Sequence, residues 1–414
     1  MPPRRSRTEE IPELIGLPEN ARREYLKDHT TGLTEEDPGI DQAIDSGIAW
    51  LCLAQDKSAS QDGGVADTYS LIDGWGSSYP ETTGYIIPTM LKHSTLRNDQ
   101  SVRERARRML DWLISIQFAD GSFHGGTVRT DPKVPTVFNT GQILLGLAAG
   151  VREFGQQYYK PMCRAADWLV QVQDEDGCWR RYESPLVDSG EKTYSAHVAW
   201  GLLEAARMAS DKRYEASALA NLKWVVSQQT ANGWFPKCDF DDPSQPLTHT
   251  LAYAWRGVLE GFVFAHDARL LEAGANTGEA FLRLIRDDGF IPGRINSHWE
   301  GTVPWACLAG TAQIAHCWLL LYQLTREVSY REAGYKANSY LRRRVRVDGP
   351  PQVVGGVKGA FPVDGDYCDY SYVNWGCKFF VDSNILEKEI REREGLPRGD
   401  STQSKVRIAV FKDE

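Results

Sequence analysis

His249 and Tyr253 stand four residues apart, and Arg256 follows three further on. On a helix this spacing sets the three side chains along one broad face. A histidine titrates near neutrality, a phenol can relay a proton, and a guanidinium can hold negative charge. These are the groups that β-elimination or epimerisation at a uronic acid requires. A cation or amide neutralises the carboxylate, which acidifies the C5 proton, and a Tyr or His removes it. His197, with Tyr194 three residues before it, supplies a second histidine about one repeat earlier. Glu81, in Ser78-Tyr-Pro-Glu-Thr-Thr-Gly-Tyr85, is a candidate general acid or acceptor for sugar hydroxyls. Asp62, Asp67 and Asp73 lie close enough in sequence to pair with it, as glycoside hydrolysis needs two carboxylates across the bond. A glutamate at a helix start is also favoured by the helix dipole alone, and a histidine in an apolar helix also serves as a core residue.

These residues share a location. They sit at or near the starts of apolar helices whose other starts supply Tyr85, Asn139, Gln142, Gln313, Asn374 and Lys378. Together with Tyr194 these are the candidate substrate-binding residues, Asn139 and Gln142 being the amides able to face a carboxylate. Asp364, Asp366 and Asp369 have oxygen ligands suited to calcium, but an exposed acidic loop accounts for them and no metal is expected. No phosphate loop, dinucleotide glycine pattern or Ser–His–Asp signature stands out, and no cofactor is expected.

The elements that must position these residues follow from a repeat. A Trp is followed five residues later by a Gln at Trp50–Gln55, Trp112–Gln117, Trp168–Gln173 and Trp224–Gln229. Degenerate copies continue at Phe281–Arg286 and Tyr340–Val345. The spacings are 62, 56, 56, 57 and 59 residues (112 − 50, 168 − 112, 224 − 168, 281 − 224, 340 − 281). A near-constant period of this length marks a repeat architecture. Turns follow in Asp62-Gly63, Asp120-Gly121, Asp176-Gly177, Asn232-Gly233 and Asp288-Gly289, which supply the positive φ that stops a helix. The aromatic residues after them are expected to pack back on the hairpin.

Each copy therefore reads as two helices. The first is amphipathic, as in Arg103 to Gln117; the second is apolar nearly all round, as in Ile143 to Val151, and must be buried on most sides. Six such pairs predict an all-α (α/α)₆ toroid, apolar helices inside and amphipathic ones outside. The inner-helix starts would then crowd one mouth of a central cavity, where free N–H groups and positive dipole ends also point. Long loops such as Gly121 to Phe138 and Cys178 to Lys192 would wall a cleft. The toroid is expected over residues 40–386, after an N-terminal segment 1–39 and before a polar tail 387–414, with Arg393 to Ser404 flexible.

Hydrophobic residues make up 42% of the 414 and charged residues 25%, as in soluble globular proteins. The net charge of −9 argues against nucleic acid as a partner. The basic start, Met1 to Arg7, is not followed by an apolar stretch, and no run approaches a membrane span. A cytoplasmic protein without membrane insertion is expected. The eight cysteines lack framework or zinc spacing, so no disulfides are expected.

From about residue 40 to 386 the chain resembles the α/α-toroid superfamily, which includes six-hairpin glycosidases, polyuronate lyases, sugar epimerases and terpenoid cyclase-like folds. The stretch from Ser78 to Pro88, with Asn139-Thr-Gly-Gln142, Thr248-His-Thr250, Asn374-Trp375 and Lys378-Phe-Phe380, resembles a little-characterised toroid family often encoded with bacterial exopolysaccharide biosynthesis. Fold alone does not fix function in this superfamily. The expectation is a carbohydrate-active protein of polysaccharide biosynthesis or modification. Elimination or epimerisation at a uronic acid or similar sugar is favoured over hydrolysis. Two alternatives remain. Asp239-Phe-Asp-Asp242 matches the DxDD pattern of class II terpene cyclases, with Asp241 as the protonating acid, although Pro243-Ser-Gln-Pro246 separates it from the next helix. Alternatively, the toroid holds a glycan or an assembly partner without turning it over.

Overall fold

The structure, a computed structural model, describes residues 14–32, 34, 36–184, 187 and 190–396. A first helix, α1 (Glu19–Thr30), precedes six hairpins. Their first helices are α2 (Ile40–Lys57), α4 (Gln100–Ile116), α6 (Tyr159–Val172), α8 (Lys212–Gln228), α10 (Ala268–Leu282) and α12 (Val328–Arg342). Their second helices are α3 (Pro80–Arg97), α5 (Val137–Phe154), α7 (Ala196–Ala209), α9 (Thr248–Ala265), α11 (Leu308–Thr325) and α13 (Asn374–Arg393). The second helices pack side by side in the order α3, α5, α7, α9, α11, α13 and back to α3, forming a closed inner ring. Each outer helix packs on the inner helix of the preceding hairpin, and α2 packs on α13. This is the all-α toroid expected from the repeat.

Burial follows the helix patterns. In α5 every residue from Val137 to Gly150 is buried, whereas α4 buries one stripe through Val102, Ala106, Met109, Leu110 and Leu113. Inner helices α3, α7 and α9 stop at left-handed residues, Asn98, Ser210 and His266. An aspartate follows each of them, Asp99, Asp211 and Asp267, and caps the next outer helix with its carboxylate.

The Trp–Gln repeat has a mechanical explanation. The Gln117 amide donates to Gly121 O in its own turn at 2.8 Å and to Pro161 O of the next outer helix at 2.9 Å. Gln173 donates to Gly177 O and Ser217 O in the same way, and Gln55 and Gln229 make the equivalent pairs. The Gln thus ties one turn to the neighbouring hairpin. At Gly121 and Gly177, φ is +99° and +91°, and a Cβ would lie 2.3 and 2.5 Å from a carbonyl oxygen of that neighbour. The aromatics after the turns, Phe123, Trp179, Phe235 and Phe290, are buried as expected.

One small sheet joins the ends of the ring, and a second links the fifth and sixth hairpins. Strand β1 (Thr68–Ser70) pairs antiparallel with β2 (Gly74–Trp75) and with β5 (Ser371–Val373), so Tyr69 opposes Tyr372 across the first and last hairpins. Strand β3 (Ala306–Cys307) pairs with β4 (Ala360–Phe361). The hairpin region extends past residue 386: α13 continues to Arg393, and Glu387 is buried against Asn338 and Arg342. Residues 1–7 and 397–404, where a basic start and most of a flexible tail were expected, lie outside the described residues. All eight cysteines are unpaired thiols. No described helix is long and apolar enough to cross a membrane.

Candidate active site

At the mouth formed by the inner-helix starts lies a cavity of about 230 Å³. Inner helices α3, α5 and α9 contribute Glu81, Tyr85, Asn139, His249 and Tyr253, and the loops add Tyr79, Glu183, Phe240 and Tyr367. Trp375 of α13 and Tyr194 complete the wall. Of the residues expected at this mouth, the structure brings Glu81, Tyr85, Asn139, Tyr194, His249 and Tyr253 together on one cavity.

Tyr253 is its structural centre. Its ring lies between two histidines, with centroids 4.7 Å from His197 and 4.6 Å from His249. Phe138 and Phe379 complete the cage at 5.2 and 5.9 Å. Burial pushes the Tyr253 phenol well above its ordinary pKa, and the Glu81 charge adds to the shift, so it stays protonated as a donor. His249 Nδ1 is 2.7 Å from Gln313 Oε1, which fixes the ring and leaves Nε2 as its other nitrogen. Burial lowers the His249 pKa to about 4, with the Gln313 hydrogen bond opposing.

Glu81 is a titratable group tuned to neutral pH. It is 7% exposed, and burial raises its pKa to about 7, against a hydrogen bond from the Tyr79 hydroxyl that lowers it. A carboxyl poised there can both give and take a proton. Two nearby polar groups are only loosely held: the Asn139 amide and the Tyr85 hydroxyl are buried with no close hydrogen bond, their partners being the Tyr79 and Tyr253 hydroxyls. Buried polar groups in this condition suit a polar ligand.

Other expected residues stand behind the cavity. His197 is fully buried, its Nδ1 2.5 Å from Gln142 Oε1, and burial holds its pKa well below the ordinary value. It supports Tyr253 and does not line the cavity. Gln142 and Gln313 orient the two histidines. The Asn374 amide donates to Ala66 O and Thr82 Oγ1, both at 2.9 Å, tying the last inner helix to the first repeat. Asp62 accepts from Ser78 Oγ, while the Asp67 carboxylate accepts from the Thr68 amide, and Ser70 Oγ reaches Asp73 at 3.5 Å. None of the three lines the cavity with Glu81.

Arg256 is a correction. It belongs to the opposite end of the ring, where it pairs with Glu260 at 2.6 Å and covers the Trp200 ring at 4.7 Å. Residues three and four apart share a helix face, but each adds about 1.5 Å of rise, so seven residues carry Arg256 about 10 Å below His249. It lines a second cavity of about 470 Å³ together with Lys378, His316 and Trp200. Lys378 pairs with Asp382 at 2.8 Å and stands over the Phe379 ring, and burial lowers its pKa. Tyr85 borders both cavities.

The Asp239–Asp242 loop is held by ion pairs and turn hydrogen bonds. Asp239 is buried on Lys192 at 2.8 Å, Asp242 accepts from Ser244 and Gln245, and Asp241 pairs with Arg294 at 2.6 Å with 58% of its side chain exposed. The hydrogen bonds from Arg294 hold the Asp241 carboxyl below its usual pKa. Phe240 alone enters the cavity from this loop. Asp364 pairs with His29 at 2.9 Å, and no group of three or more His, Cys, Asp or Glu among the described residues is placed to hold a metal ion.

Glu183 was not singled out in the sequence. It lies in the Cys178–Lys192 loop expected to wall the cleft, where nothing separates it from other surface acids. In the structure it lines the cavity, and burial raises its pKa to about 7, with Lys192 opposing. Burial first, and then the charges of Glu183 and Glu81 among others, push the Tyr194 phenol upward. Tyr367 and Trp375, joined by a 2.9 Å hydrogen bond, were likewise not singled out.

In fold the chain is similar to an unsaturated glucuronyl hydrolase specific for heparin: TM-score 0.69, 14% identity, covering 85% of this chain and 98% of that one. It is similar to a D-mannose isomerase at TM-score 0.68 and 11% identity, covering 85% and 97%. It is also similar to cellobiose 2-epimerase from Bacillus thermoamylovorans at TM-score 0.64 and 10% identity, covering 88% and 98%. At such identities the likeness is one of fold. No curated protein matches the chain in sequence. The family model of the squalene-hopene cyclase C-terminal domain matches residues 36–261, more than half of the chain. The chain belongs to the squalene-hopene cyclase C-terminal domain family.

Proposed function

We propose that this toroid is a carbohydrate-active enzyme that moves protons on one sugar residue held in the cavity, with Glu81 as the acid–base group. The observation that carries this reading is a buried carboxyl with a pKa of about 7 in an aromatic cavity, beside a neutral histidine and protonated phenols. Aromatic walls suit the apolar faces of a sugar ring, and the loosely held Asn139 and Tyr85 groups suit its hydroxyls. The fold neighbours include enzymes whose names state sugar hydrolysis, isomerisation and epimerisation, which supports a sugar over other small molecules.

Epimerisation or elimination at a uronic acid or similar sugar is favoured, because a base near neutrality faces neutral donors. With Arg256 at the other end of the ring, the Asn139 amide is the group that faces a carboxylate or carbonyl. Glu81 takes the proton from the carbon beside that group, and His249 and Tyr253 stabilise the resulting oxyanion or relay the proton. Glu183 is the second carboxyl for return of the proton or, in hydrolysis, for a water. We place the reaction in polysaccharide assembly or modification on the motif resemblance, and in the cytoplasm, which the unpaired thiols fit.

The family match raises the alternative of alkene protonation. That step needs a strong acid, whereas the cavity carboxyls Glu81 and Glu183 are weakened ones and Asp241 is exposed and ion-paired. The test is incubation with uronate-containing oligosaccharides and reducing disaccharides. Ultraviolet absorbance reads elimination, solvent-deuterium uptake reads epimerisation, and new reducing ends read hydrolysis. Turnover by any of these supports the reading. Saturable glycan binding without turnover would replace it by a glycan-holding protein.

A further inference from the structure

A third cavity, of about 490 Å³, lies between α1 and the segment that follows α12. We propose that it binds a tetrahedral oxyanion, a phosphate or sulfate group, through Lys27, Arg344 and Arg346.

The argument is an accounting of charge around the cavity. Arg342 is taken by Asp37 at 2.7 Å and Glu387 at 2.9 Å. Lys358 is taken by Asp28 at 2.6 Å and Glu24 at 2.7 Å. Arg343 donates to the Ser339 and Asp288 carbonyls. Glu36 and Asp348 are exposed at the rim. Among the described residues, Lys27, Arg344 and Arg346 are the cations least fully matched. Arg344 is 8% exposed, lies over the Tyr340 and Phe361 rings at 4.4 and 4.0 Å, and has no carboxylate within 4 Å among the described residues. Its Nε has no partner, and its hydrogen bonds are a 3.5 Å contact to Gly32 O and one with the Tyr340 hydroxyl. Arg346 Nε is also buried without a partner, and the carboxylate near it, Glu24 at 3.6 Å, is already held by Lys358. Lys27 is held below its ordinary pKa by burial first and then by the charges of Arg346 and Lys358, with Glu24 and Asp28 opposing.

A guanidinium this deep, with no counter-ion within 4 Å among the described residues, is unfavourable unless something supplies the charge. Two forked guanidiniums and one ammonium present more donors than the two oxygens of a carboxylate accept, and they match the oxygens of a tetrahedral anion. The site is separate from the aromatic cavity and shares no lining residue with it.

The experiment is titration of the full chain with inorganic phosphate, sulfate and glucose 6-phosphate, read by calorimetry and by melting temperature. Saturable binding at millimolar concentration or below, with a raised melting temperature, is expected. Lys27→Gln and Arg346→Gln, partly exposed positions that tolerate replacement, should each weaken binding about tenfold or more. Tighter binding of glucose 6-phosphate identifies a phosphate monoester as the ligand, and equal binding identifies the free ion. Absence of saturable binding by all three anions overturns the proposal, as does binding that neither variant weakens.

Discussion

His249 Nδ1 lies 2.7 Å from the side-chain oxygen of Gln313, one inner helix along. The same pair recurs on the far side of Tyr253, where His197 Nδ1 meets Gln142 Oε1 at 2.5 Å. In both pairs the glutamine amide occupies Nδ1 of the histidine. His249 then offers its other nitrogen at the cavity, while His197 stays sealed behind the phenol. His249→Ala should lower turnover by about 10²- to 10⁴-fold, whereas a purely structural His249 would lower the melting temperature and leave turnover per folded molecule unchanged. Measuring both quantities on one variant separates the two roles.

Glu81 makes the site costly at high pH. Below its ordinary value of 4.5 the carboxyl is protonated in both folded and unfolded chains. Between 4.5 and about 7 the unfolded chain ionises while the folded one holds its proton, so stability falls as pH rises and levels off above 7. The full effect is about 3 kcal/mol. Glu81→Gln should therefore be more stable than the parent by an amount that grows from pH 4.5 to 7, as read by denaturant unfolding at a series of pH values. A difference independent of pH would show that the carboxyl is not perturbed.

Arg256 and Asp241 serve as controls. Arg256→Ala removes the Glu260 pair and the cover on Trp200, costing about 1–3 kcal/mol of stability. Turnover per folded molecule should not change, and neither should that of Asp241→Asn. Loss of activity in either variant, with the fold intact, would move the chemistry to the lower cavity or to the cyclase-like loop.

The repeat predicts a stability effect of its own. Gln173→Ala leaves Gly177 O with its Asn221 bond but strips Ser217 Oγ and Ser217 O of their Gln173 contacts. A loss of about 1–3 kcal/mol in thermal or denaturant unfolding is expected. A neutral outcome would mean that the Trp–Gln pattern is not the tie between hairpins.

The fold was legible because each repeat states its physics locally. The Trp–Gln spacing, the Asp-Gly turn and the switch from an amphipathic to an apolar helix recur often enough that only a ring of hairpins buries every apolar face. The mouth was legible in part for the same reason, since helix starts point to one end. Depth was not. Helical periodicity reports the face on which a side chain lies but not its height, so Arg256 and Lys378 were grouped with His249 although they lie deeper. Loops carry no period, so Glu183 and Tyr367 gave no signal. The motif Asp239–Asp242 looked chemical because composition does not reveal partners, and Lys192 and Arg294 are distant in sequence.

The central claim, that Glu81 moves a proton on a bound sugar, is tested most directly by solvent-deuterium uptake. The parent and Glu81→Gln would each be incubated in deuterium oxide with uronate oligosaccharides and reducing disaccharides, and the sugar carbons read by NMR or mass. The account predicts deuterium at the carbon beside the carboxylate or carbonyl for the parent and about 10²- to 10⁴-fold slower uptake for Glu81→Gln. Equal uptake by the two proteins, or a sugar turned over by the parent with no solvent deuterium at any carbon, would contradict it.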